Sequence, residues 1–198
     1  MENMDSASGT LIQTRDPKKH AIMSLRGKPI NVMKHDMTKV LKNQEIQDMI
    51  IAFGGFGDDF KPSKLAYDKV IIASDSDADG NHIQNLLLGF LFQFYPQLIE
   101  GGKVYIVQTP LYIIKRGTKI HYIFSESEMK DFETRKSDII SRLKGLGEID
   151  KSFMPNLMFN ETTRVLNQVE MKDKDTVLTT LEQILGDDPM DRKEILFG

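Results

Sequence analysis

The 198-residue chain contains no cysteine, which rules out both a disulfide framework and a thiolate metal site. Long apolar runs are missing too. Runs such as Leu86 to Phe92 fall far short of the roughly 20 residues that cross a bilayer. The first residues, Met-Glu-Asn-Met-Asp-Ser, lack the basic-then-apolar pattern of a secretory signal. A cytoplasmic protein with no membrane partner is expected. Nor is there a large charge excess, since the net charge is −3, but the distribution is uneven. Between Gln13 and Asn43 eight Lys or Arg stand against two Asp or Glu, which leaves 18 basic and 27 acidic residues elsewhere. A basic segment of this kind suits phosphates. It suits a solvated face equally well, and charge alone does not choose. The hydrophobic content of 40% supplies the core of one ordinary domain, or of one domain with an appendage.

Residues 1–12 read as a loop or the start of a helix, and Leu25-Arg26-Gly27-Lys28-Pro29 as a turn. Lys39 to Phe53 has helical spacing, with Val40, Leu41, Ile46, Met49 and Ile50 inward. Gly54, Gly55 and Gly57 break it. Val70 to Ser74 is a short β-branched run that fits a strand buried on both faces. From His82 onward Ile83, Leu87, Leu91, Phe94 and Leu98 recur three or four apart, which predicts a helix closed by Gly101-Gly102. Val104 to Val107 is a second strand, so a βαβ unit with parallel pairing is expected. Leu111–Lys115 and Ile120–Phe124 predict a hairpin. Ser125 with Glu128 forms a capping box that starts a helix. From about Ser137 the pattern reads as mostly helical, its last helix running from Asp175 to Leu185 before Gly186. All five tyrosines, Tyr67, Tyr95, Tyr105, Tyr112 and Tyr122, fall in core-like segments, and none is proposed as a nucleophile.

Asp75, Asp77 and Asp79 crowd the point where a buried strand ends. Like charges this close raise the cost of ionising one another, and a divalent cation removes that cost. Hard oxygen ligands without Cys or a His pair favour Mg²⁺ over zinc. The carboxyl ends of parallel strands are also where open α/β sheets place their sites. A solvated Asp-rich turn is the bland alternative. An EF-hand loop fails because its twelfth position is Leu86 rather than Glu. A haloacid-dehalogenase phosphatase would want a Thr soon after Asp-x-Asp, and there is none.

Ser74-Asp75-Ser76-Asp77-Ala78-Asp79-Gly80-Asn81-His82-Ile83 resembles the signature of the TOPRIM part of gyrase-B and topoisomerase-IV subunits. So do Leu25-Arg26-Gly27-Lys28, Gly57-Asp58-Asp59-Phe60 and Gln108-Thr109-Pro110-Leu111-Tyr112. Lys144-Gly145-Leu146-Gly147-Glu148, Gly186-Asp187-Asp188 and Arg192-Lys193 are similar to that family's tail, in the family's order. The resemblance implies an α/β fold: a TOPRIM domain over residues 1–125, a Rossmann-like parallel sheet with flanking helices. A mainly helical tail over 126–198 would pack on it and contact the A-type subunit. It implies that a tyrosine of that A-type subunit attacks a DNA phosphodiester while the TOPRIM acids hold Mg²⁺, for which Mn²⁺ substitutes, at the phosphate. Asp75 and Asp77 match the principal metal ligands and Asp79 a supporting one. Arg26 and Lys28 match positions near DNA, with Lys28 counted in the catalytic set beside Asp75; His82, just after the acids, is a candidate phosphate contact, and Lys144 belongs to a candidate loop contacting the DNA backbone near the site. A surface turn explains Arg26 and Lys28 nearly as well, a backbone-bonded histidine at a helix start explains His82, and a Gly-permitted turn explains Lys144 to Glu148.

The family's catalytic Glu ends a strand and precedes Gly-Asp-Ser-Ala. Here the text is Glu2-Asn3-Met4-Asp5-Ser6-Ala7, one residue longer, with only Met1 before it. Glu2 is the candidate general acid/base and a further metal ligand. The expectation is the DNA-cleaving component of an ATP-dependent type II topoisomerase, cytoplasmic in a bacterium or in the host of a bacteriophage with split subunits. Its partners would be double-stranded DNA, the A-type subunit and an upstream ATPase-bearing B-type fragment, with ATP used by the complex and not bound by this chain. A stand-alone TOPRIM nuclease or primase-like enzyme, and a non-catalytic fragment that only binds partner subunits, stay open beside it.

Overall fold

The computed structural model describes residues 7–171 and 173–186. Along them run α1 (Ala7–Thr14), α2 (Met37–Lys42), α3 (Gln44–Phe53), β1 (Val70–Ile72), α4 (Ala78–Phe94), α5 (Pro96–Glu100) and β2 (Val104–Gln108). Then come β3 (Tyr112–Arg116), β4 (Lys119–Ile123), α6 (Glu126–Asp131), β5 (Ile139–Arg142), β6 (Val165–Gln168) and α7 (Lys174–Leu185). No described helix is long and apolar enough to cross a membrane. The chain divides into two compact units, assembled from interleaved segments.

One unit gathers Leu25–Ile72, His82–Ile106 and Gln168–Gly198. The segment expected to be a single helix from Lys39 to Phe53 is two. Asn43 ends α2 and caps α3, with an extended backbone and a side chain that accepts from the Ile46 N–H. Asn competes with helix by bonding the neighbouring backbone, so it breaks the run where apolar spacing alone does not. Val40, Ile46 and Met49 are buried as expected, whereas Leu41 and Ile50 are half-buried. Gly54 stops α3 in the left-handed region at φ 79.

β1 and β2 pair in parallel, from Val70↔Val104 to Ile72↔Ile106, in a sheet ordered β1–β2–β6. The βαβ expectation holds, although β1 stops at Ile72 and only Ile72 is fully buried. Pro96 follows Tyr95 and starts α5. Tyr95, fully buried, is ringed by Phe53, Phe60 and Phe90 with centroids 4.8, 4.8 and 5.4 Å away. Its hydroxyl donates to Gly55 O at 3.0 Å. Edge-on pairs such as those with Phe53 and Phe60 add about 0.5–1.5 kcal/mol each beyond area burial. α7, capped by Asp173 and ended by Gly186, places Leu181 and Leu185 in the same core.

The other unit gathers Met1–Ser24, Ala73–Asn81 and Val107–Asn167. Its β3–β4 hairpin turns at Gly117-Thr118, where Gly117 has φ 60 and Thr118 is not left-handed, the pattern of a type II′ turn. β5 pairs antiparallel with the other side of β3, giving the order β4–β3–β5. This corrects the reading of a mostly helical chain from Ser137. Leu143, Leu146, Ile149, Met154, Leu157 and Met158 recur at helix-like spacing, but Gly145, Gly147 and Pro155 interrupt them. What forms instead is strand β5, a 3₁₀ turn at Leu146–Glu148, a π turn at Pro155–Phe159 and strand β6. The expected last helix is present as α7. Ser125 caps α6 by accepting from the Glu128 N–H, but the Glu128 carboxylate reaches back to the N–H of Phe124, one residue before the cap.

Candidate metal centre

Past Ile72 the chain leaves the sheet, and Asp75 to Gly80 form the link to α4. Asp77 caps α4: its Oδ1 accepts from the Gly80 N–H at 2.7 Å and its carbonyl from the Asn81 N–H at 3.0 Å. Helix α4 therefore begins at Ala78, four residues before the apolar spacing shows it, and Asp79 lies in its first turn. A carboxylate is favoured there by the unpaired N–H groups of the helix end. Asp75, Asp77 and Asp79 are all exposed. The cap gives Asp77 a role that needs no metal. It engages one oxygen of a carboxylate that has about four acceptor positions, so the cap and a ligand role are compatible.

Asp75 is held from two sides. Its Oδ1 accepts from the Leu146 N–H at 2.7 Å. A Cβ built on Gly80 would lie 2.0 Å from the Asp75 carbonyl oxygen, and one built on Gly145 would lie 2.7 Å from Asp75 Oδ1. Next to it the Ser76 and Thr109 hydroxyls meet at 2.8 Å, tying the loop after β1 to the residue after β2. Gly80, Thr109 and Gly145 fall inside motifs singled out in the sequence, but their contacts with the acidic loop do not show there. They arise from chain segments brought together only by folding.

The structure places Asp75, Asp77, Asp79 and Lys144 in one unit. Lys144 is exposed, and its N–H donates to Glu148 Oε2 at 2.9 Å. Arg26, Lys28 and His82 belong to the other unit, and all three are exposed. Arg26 and Lys28 flank Gly27, left-handed at φ 101, and the Arg26 N–H donates to Glu45 Oε1 at 2.7 Å. His82 lies in the second turn of α4. Glu2, Asp187, Asp188, Arg192 and Lys193 lie outside the described residues. Tyr67 departs from the core-like expectation, being 40% exposed.

Among the described residues no three Asp, Glu or His gather into a ready-made metal cage. Neither Asp75 nor Asp77 forms an ion pair among the described residues. Each has one oxygen fixed by a main-chain N–H. The donor set is oxygen-only, exposed and negative, and it suits a hard divalent cation.

Residues 4–109 match the family model described as Toprim domain, and residues 135–196 match that of the DNA gyrase B subunit, carboxyl terminus. The DNA gyrase B subunit of Thermotoga maritima is 39% identical over 196 residues, 97% of this chain and 31% of the relative. The DNA gyrase B subunit of Staphylococcus aureus is 38% identical over 197 residues, again 97% of this chain and 31% of the relative. The chain thus spans just under a third of the length of these relatives.

Proposed function

The chain belongs to the Toprim-domain family, and from that premise we propose that it is the Mg²⁺-binding DNA-cleavage and religation component of an ATP-dependent type II DNA topoisomerase. The nucleophilic tyrosine and the ATPase lie on other chains, an A-type subunit and an ATPase-bearing B-type fragment. Support comes from the gyrase B relatives along 97% of the chain. The observation that carries the reading is the pair Asp75 and Asp77, exposed, without an ion pair among the described residues, each with one oxygen pinned by a backbone N–H.

Asp75 and Asp77 are the ligands of Mg²⁺ or Mn²⁺, with Asp79 and Glu2 assisting. An ion held by these residues would supply positive charge against that developing at a DNA phosphate and on the departing 3′ oxygen. Glu2 moves the proton as general acid/base. Arg26, Lys28, His82 and Lys144 contact phosphates, holding the duplex in register without reading its sequence. Residues 1–125 form the metal-binding domain, residues 126–198 reach the A-type subunit, and the assembly works in the cytoplasm. The test is DNA cleavage by the chain assembled with its partners. Asp75→Asn and Asp77→Asn should each abolish cleavage while the far-UV spectrum is unchanged, and normal cleavage by both would sink the assignment. Metal-dependent nicking by the isolated chain would favour a stand-alone nuclease instead.

A further inference from the structure

We propose that Gly145 and Leu146 are the positioning residues of Asp75, setting its carboxylate for the cation from 71 residues downstream; the inference rests on the metal reading above. The Leu146 N–H donates to Asp75 Oδ1 at 2.7 Å. A hydrogen bond to an ionised acceptor is about twice as strong as a neutral one. The donor is itself fixed. Leu146 is buried, the Glu148 N–H returns to Gly145 O at 3.1 Å, and the Lys144 N–H bonds the Glu148 carboxylate at 2.9 Å. Just upstream, the Leu143 N–H donates to Leu111 O at 2.8 Å. The amide that meets Asp75 is thus held from both directions along the chain.

Gly145 supplies the space. A Cβ there would lie 2.7 Å from Asp75 Oδ1, 2.8 Å from Cγ and 3.1 Å from Oδ2. Its backbone, φ −165 and ψ 171, is extended and open to any residue, so conformation does not demand glycine. What demands it is the carboxylate. Anything larger would meet the carboxylate end of the Asp75 side chain, which can give up its bond to Leu146 and turn aside at little cost to the fold. The ligand turns while the protein stays folded. Gly147 is the matched control, because a Cβ there meets nothing within 4 Å and its φ is not left-handed.

The test uses the full chain and Mn²⁺ alone, titrated calorimetrically. Gly145→Ala should weaken Mn²⁺ binding by about tenfold or more, the scale on which outer partners of metal ligands act. Gly147→Ala should leave it unchanged, and both variants should melt near the wild-type temperature without metal. In an Asp75→Ala background Gly145→Ala should add nothing further, since the two act as one unit. A second readout needs no metal: the Leu146 amide should exchange faster in Asp75→Ala. Wild-type Mn²⁺ affinity in Gly145→Ala, or an equal loss in the Asp75→Ala background, would overturn the proposal. If the wild type binds no Mn²⁺ the metal reading itself fails. The clamp is then judged on Leu146 exchange, and unchanged exchange in Asp75→Ala refutes it.

Discussion

Asp77 does two things that one careless substitution would confuse. Its Oδ1 caps α4 through the Gly80 N–H, and the same carboxylate is a proposed metal ligand. Asp77→Ala removes both and should cost about 1 kcal/mol of stability through the cap. Asp77→Ser keeps a capping oxygen while losing the charge and the second oxygen. The urea midpoint should therefore fall for Ala and stay close to wild type for Ser, with Mn²⁺ binding lost in both. Equal midpoints for Ala and Ser would mean that the cap is not felt. Gly80 is harder to change. Its Cβ would lie 2.0 Å from the Asp75 carbonyl oxygen, and backbone cannot swing aside as a carboxylate can. Gly80→Ala should destabilise by about 1–3 kcal/mol or more, the range for forced overpacking. The acids of this loop are legible in the sequence as Asp-x-Asp-x-Asp-Gly. That the final glycine carries the backbone of the first acid is not, because the contact exists only once the loop has folded over α4's first turn.

Elements defined by their own residues were the ones the sequence displays: the hairpin with its Gly117 turn, the Ser125 cap of α6, and α7 between Asp173 and Gly186. β5 was hidden because its spacing also suits a helix and its partner β3 lies more than twenty residues away. The single expected helix at Lys39–Phe53 hid its break for a related reason, since apolar periodicity runs through Asn43 while the cap depends on one side chain. β5 is preceded by a polar anchor that pattern reading passes over. Arg116, at the end of β3, makes two bonds to the Asp138 carboxylate, at 2.9 and 2.7 Å, with the acid's side chain fully buried. The Arg116 hydrogen bonds, helped by the Arg135 N–H and opposed by burial, hold the Asp138 carboxyl at about 2 against an ordinary 3.8. The folded form thus releases this proton more readily than the unfolded chain. Its stabilisation is present above about pH 4 and is lost as pH falls through about 2. Asp138→Asn should melt lower than wild type at neutral pH and decline less steeply between about pH 4 and pH 2. Parallel melting curves across that window would show that the pair contributes nothing.

At the scale of the whole molecule the interleaving of segments escapes sequence reading. The unit that carries Asp75 collects residues from 1–24, 73–81 and 107–167, and no local pattern announces that 143–148 belongs beside 75. Arg26, Lys28 and His82 were legible as cationic or imidazole groups, but nothing in their spacing assigns them to the other unit. The proposed division of the cleavage chemistry between chains is tested at the same scale. A tyrosine that attacks phosphorus needs an accessible hydroxyl and a neighbour that eases its deprotonation. Burial pushes the Tyr95 hydroxyl well above its usual range, and that hydroxyl is spent on Gly55 O. Burial and then the bond to Glu126 raise Tyr112, and burial raises Tyr122. Tyr105 is half-buried within β2. That leaves Tyr67, 40% exposed in the loop before β1. With DNA, Mg²⁺ and an A-type subunit supplied, the covalent phosphotyrosyl adduct should form on the partner polypeptide. Tyr67→Phe should cleave at the wild-type rate. End-labelled DNA, quenched with denaturant and resolved by gel, shows which chain carries the label. Label on this chain that disappears in Tyr67→Phe would reverse the proposed division of labour, whereas label on the partner, abolished by Asp75→Asn, would place metal and nucleophile on separate chains.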